Sequence, residues 1–158
     1  MKQLLLIAFS LFVLQTNAQE SNFNEFYKSN KDRAEVSLNV PGFVANFFIS
    51  DDDVDEFAVF LKKARNYKIM VFDKDVASVK NSFKKFYKRN RLKTLVKFKD
   101  GKERVSIYFR ESKNRIKEII VSTHSDKNEL VLLGLKTNLT KDELSDLVNA
   151  TKNNTASD

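Results

Sequence analysis

Asp51, Asp53 and Asp55 repeat at the spacing with which a calcium loop presents its first three ligands. Such a loop then needs Gly at its sixth position and a bidentate Glu at its twelfth, where this chain has Glu56 and Lys62. The run DDDVDE therefore reads better as acidic residues favoured at the start of a helix, where carboxylates meet the positive end of the backbone dipole. His124 is the only histidine and there is no cysteine, so neither a His-based triad nor a Cys/His zinc set can be assembled. A turn residue at a strand end is the expectation for His124. Three well-separated glycines, at 42, 101 and 134, make no phosphate-cradling loop. Acid–base work by paired Asp and Glu stays open in principle, but no such pair is marked by spacing. No metal and no cofactor is expected.

The feature that does invite a ligand is FKKFYKRNRLKTLVKFK, residues 83–99, with eight Lys or Arg in seventeen residues and no acid. Cations alternating with rings suit phosphates and bases, or else the wet side of ordinary secondary structure. The two readings part on periodicity. Val76, Val79, Phe83, Phe86 and Tyr87 step by three and four, so a helix over 76–90 turns its rings inward and its lysines outward. Residues 91–99 alternate as a strand, and Asp100–Gly101 is a hairpin signal. A two-residue turn there sets Lys97 opposite Arg104, Lys99 opposite Lys102 and Arg91 opposite Arg110. Like charges opposed on a sheet repel. Arg91, Lys93, Lys97, Lys99, Lys102, Arg104 and Arg110 are accordingly the candidate anion-binding residues. The plain alternative is a solvated lysine face, which also discourages edge-to-edge aggregation.

The elements that must position these residues follow in order. MKQLLLIAFSLFVLQTNA has Lys2, an apolar core over 4–14, and Thr16 and Ala18 at the −3 and −1 positions for cleavage before Gln19. This is the layout of a secretory signal peptide, and its apolar core is too short to span a membrane. Its removal leaves 140 residues with 27 basic and 21 acidic side chains, a balance of +6. That size fits one domain, and that charge favours anionic partners. Residues 19–150 are read as a single α+β domain and 151–158 as a frayed tail. A short helix is expected over 21–30 and a strand over 34–40 ending at Pro41–Gly42. An apolar, helical segment over 42–50 and a helix from Asp53 follow. A buried strand is expected over 67–72, and Asp75 is read as N-cap of the next helix. Strands over 115–124 and 129–136 follow the hairpin, and Thr140–Glu143 forms a capping box for a last helix. The expected architecture is an antiparallel four-strand meander plus additional strands, with helices packed mainly on one face.

SFKKFYKRN, DGKERVSIYFRE, RIKEIIVS and NELVLLGLKTNLTKDELSDLV, with YKIMVFD before them, resemble the domain of unknown function 4252 family. The resemblance implies a small exported protein of Bacteroidota, in the periplasm or envelope, with no catalytic motif to transfer. With no cysteine, lipid anchoring does not carry over. The functional expectation is a non-catalytic, monomeric envelope protein acting by surface binding, on a protein partner or an anionic surface, and not on nucleic acid. A carboxylate-dependent hydrolase without a recognisable motif is the alternative.

Overall fold

The computed structural model describes residues 22–45 and 62–155. The leader, the acidic run at 51–56 and most of the two segments expected between 42 and 61 lie outside the described residues. Helix α1 (Phe23–Asn30) leads to a short 3-10 turn, strand β1 (Val36–Pro41) and a single helical turn α2 (Gly42–Ala45). Then come β2 (Asn66–Phe72), α3 (Val76–Arg89), β3 (Lys93–Asp100), β4 (Glu103–Ser112), β5 (Arg115–His124), β6 (Leu130–Leu139) and α4 (Lys141–Thr155). α4 continues past Ala150, where the sequence pattern fades. No helix among the described residues is long and apolar enough to cross a membrane.

All six strands form one antiparallel sheet in the order β1-β2-β6-β5-β4-β3. β3 to β6 pair in succession through short turns, while β2 docks on the far side of β6 and carries β1 with it. Alternation along each strand divides the apolar residues between two faces. Ile120, Leu132, Met70 and Phe72 join the rings of α1 and α3 in one cluster. Ile119, Leu135, Tyr67 and Ile116 join Leu139 and Leu144 in another, so α1 and α3 share one cluster and α4 enters the second.

α3 is built as its periodicity requires, with Val76, Val79, Phe83 and Phe86 buried. Asp75 precedes it but does not cap it with its side chain. Its backbone is left-handed (φ 52°) and its carbonyl accepts from Val79 N–H at 3.0 Å. The α4 box forms in full. Thr140 Oγ1 accepts from Glu143 N–H at 3.1 Å, and Glu143 Oε2 accepts from Thr140 N–H at 2.8 Å. Lys63 adds an ion pair to Glu143 at 2.8 Å.

The Lys63 hydrogen bond, then the Thr140 N–H, hold the Glu143 carboxyl down to about 2 from an ordinary 4.5. A carboxyl depressed by folding supports the fold above its unfolded value and loses that support as pH falls through its folded value. The start of α4 should therefore keep its amide protection at pH 5 and lose it progressively between about 4.5 and 2. Glu143→Gln should remove that pH dependence, as read by amide exchange at residues 141–146.

The hairpin differs from the sequence expectation in register. Asp100 pairs with Glu103, so the loop is Gly101–Lys102 and not Asp100–Gly101. Gly101 takes a positive φ (55°) at the first loop position, which is where a type II′ turn places its glycine. The expected oppositions are corrected accordingly: Lys97 faces Ser106, Lys99 faces Arg104, and Arg91 lies outside the strand with φ 50°. A bulge at Leu95 turns Thr94 to the other side from Val96. β5 carries a second bulge at Lys117: consecutive Arg110 and Glu111 of β4 face Glu118 and Ile116, which puts Ile116 on the opposite face from Glu118.

Candidate functional site

The seven candidate cations do not act as one patch. Lys93 is bound to Glu111 at 2.9 Å, and Lys141 of α4 reaches the same carboxylate at 2.9 Å. Those two ammonium groups, Lys141 first, hold the Glu111 carboxyl below the usual range. Arg110 is bound to Glu118 at 2.8 Å. Lys99 and Arg104 face each other on the α3 side of the sheet, where Lys97 also points. Arg91 and Lys102 sit exposed in turns.

Glu118 organises the most strongly charged part of the surface. An acid in the middle of RIKEIIVS would be costly to bury alone, and it is only 6% exposed. Glu118 stands two residues before Ile120 on the same face, the α1 side of the sheet, where two donors meet it. Arg110 Nε donates to one carboxylate oxygen at 2.8 Å and the backbone N–H of Phe23 donates to the other at 3.1 Å. The second bond places the start of α1 over β5. Phe23 in turn lies against Gly134, where any Cβ would stand 2.0 Å from the ring. A glycine is thus required in β6 for α1 to approach the sheet.

Beside this anchor opens a cleft of about 730 Å³. Among the described residues its wall carries six cations, Arg65, Lys68, Arg110, Lys113, Lys117 and Lys136, and one carboxylate, Glu118. Arg65 and Lys68 come from the start of β2, and the other four from β4, the β4–β5 turn, β5 and β6. Lys113 is presented by the β4–β5 turn, where Lys113 and Asn114 both have positive φ (52° and 57°), as a type I′ turn demands. Lys117 is tied to Asn138 Oδ1 at 2.5 Å. Lys68 donates to Asn66 Oδ1 at 2.6 Å and Asn39 Oδ1 at 2.9 Å, with the Tyr27 ring 5.6 Å away. Burial, followed by the Lys136 charge, pulls the Lys68 ammonium below the usual lysine range. Among the described residues no carboxylate is paired with Lys113 or Lys136. Chemically the cleft can hold an anion with several oxygens: its cations and the side-chain amides of Asn22, Asn24, Asn66 and Asn138 line it, with one carboxylate that Arg110 and Phe23 engage.

Of the expected residues only Arg110 belongs to this cleft, and there it serves Glu118. The other five cations were not anticipated, since they are drawn from residues 65, 68, 113, 117 and 136 and no local pattern joins them. The one sequence signal was Glu118 itself, an acid that breaks an apolar strand and must have found a partner.

The model of the family described as "Domain of unknown function (DUF4252)" matches residues 18–147. The chain belongs to DUF4252. The match spans every described strand of this DUF4252 domain and the start of α4. No curated protein and no solved structure matches the chain.

Proposed function

We propose that this DUF4252 protein is a non-catalytic, exported envelope module that binds an anionic partner in the cleft around Lys113 and Lys136. The observation that supports it is the charge count of that wall, six cations against one carboxylate that Arg110 and Phe23 already engage. Crowded cations repel one another, and an arriving anion relieves the repulsion. Burial first, and then the Lys136 charge, lower the Lys68 pKa, and a bound anion would raise it again. Export is proposed from the leader-like residues 1–18, and the expected product is a mature chain beginning at Gln19. Glu111 and Glu143 are shifted down by lysines, away from the direction a general acid needs.

Pyrophosphate titrated by calorimetry is the direct test. Binding is expected to weaken about tenfold or more in Lys113→Glu/Lys136→Glu, whose side chains are exposed and unpaired. It should also fall steeply as salt rises from about 0.05 to 0.2 M. Absent binding, or binding indifferent to salt and to both substitutions, would sink the proposal. Vesicles of phosphatidylglycerol in a parallel arm ask whether the same phosphate chemistry is presented by a lipid surface.

A further inference from the structure

A second, smaller cleft of about 320 Å³ lies between α3 and the strands β3 to β6, away from the Glu118 anchor. Its body is apolar: Phe83, Tyr87, Tyr108 and Leu130 form the walls. Tyr108 is held edge-on by Tyr87, with ring centroids 5.3 Å apart, and tilted against Phe83 at 5.7 Å. Its polar groups are Lys80, Lys84, Lys97, Ser122 and His124, and among the described residues no carboxylate lines it. In a chain with 21 acidic residues, three lysines around a ring-walled hollow without a counter-charge is a specific arrangement.

The lysine most deeply set is also the most constrained. His124 Nδ1–H donates to the Glu129 carbonyl at 3.0 Å, because a carbonyl can only accept. That leaves a lone pair on Nε2, which accepts from the Lys80 ammonium at 2.7 Å. His124, expected from the sequence to be a plain turn residue, is therefore the group that orients Lys80. Burial, and after it the nearby Arg104, lowers the Lys80 pKa. Among the described residues Lys80 is held by the His124 ring and by no carboxylate.

We propose that this cleft is a binding site for a small aromatic monocarboxylate, its rings against Tyr87 and Tyr108 and its carboxylate on Lys80 and Lys97. Small-molecule sites combine apolar walls with a few convergent polar groups, and this volume stands at the lower end of their range. Charge complementarity selects an anion and the rings select a flat apolar body. A phosphate without an apolar body gains only half of these contacts and belongs to the larger cleft.

The probe is 2-naphthoate, titrated into the full-length mature protein and followed by amide and side-chain NMR shifts. Saturable binding is expected, with shifts confined to residues around Lys80, Lys97, Tyr108 and His124. Acetate and uncharged 2-naphthylmethanol should each bind at least tenfold more weakly. Lys97→Glu, on an exposed strand position that leaves the fold intact, should weaken 2-naphthoate about tenfold, and Lys80→Met should do the same. Lys113→Glu/Lys136→Glu in the larger cleft should leave the affinity unchanged. The assignment is overturned if the neutral analogue binds as tightly, if Lys97→Glu has no effect, or if the Lys113/Lys136 variant loses the ligand instead.

Discussion

Phe86→Ala should destabilise the protein by about 3–5 kcal/mol, read as a lowered denaturation midpoint at unchanged slope. Phe86 is 2% exposed and meets three other rings, with centroids 5.2 Å from Phe26, 5.9 Å from Phe83 and 6.1 Å from Phe23. Two of those rings belong to α1, an eight-residue helix too short to persist without packing. Removing the Phe86 ring leaves a hollow between two helices that cannot both collapse onto the sheet, since Phe23 is already against Gly134. Amide exchange in residues 23–30 should accelerate along with the global loss. A change below about 1 kcal/mol would show that the rings are not a packed core but a surface available for stacking.

Arg110→Leu should be comparably damaging, at about 3–5 kcal/mol, for a different reason. The substitution leaves Glu118 buried with its charge uncompensated, and the loss comes from that stranded carboxylate more than from the missing bond. Glu118→Gln in the same chain should recover most of it. Glutamine keeps an oxygen for the Phe23 N–H at the present 3.1 Å separation but carries no charge. If the double variant is as unstable as Arg110→Leu alone, burial of charge is not the cause. Arg110 and Glu118 also line the larger cleft, so this pair of results is read on stability alone.

Local features were readable from the residues. The step of three and four through Val76, Val79, Phe83 and Phe86 placed α3, and Thr140 with Glu143 placed the start of α4. Both are contained within one or a few turns of chain, where side-chain spacing and backbone bonding are the same fact. The β3–β4 hairpin was legible as a hairpin but not in register, since glycine suits either position of a two-residue loop and only the backbone decides. The docking of β2 on β6 could not be read. Residues 66–72 and 130–136 are both apolar on two faces, so any pairing buries them equally well by pattern alone. The candidate site suffered most. Seven cations adjacent in sequence looked like a patch, yet Lys93 and Arg110 turn out to serve carboxylates. The cleft instead gathers its charge from five separate segments, and spatial convergence of that kind leaves no trace in spacing.

One consequence of the strand order concerns when the molecule can exist at all. β6 is the last strand to be made, yet it lies between β2 and β5 and is the only link between them. A polypeptide emerging N-terminus first has β1 and β2 complete long before anything is present to receive them. β3 to β5 can zip up from local turns, but β1 and β2 have no place in that sheet until residues 130–139 arrive. Completion of the sheet is then a late event, and a ribosome stalled or a chain cut near residue 129 would release two unfinished pieces in place of one smaller domain.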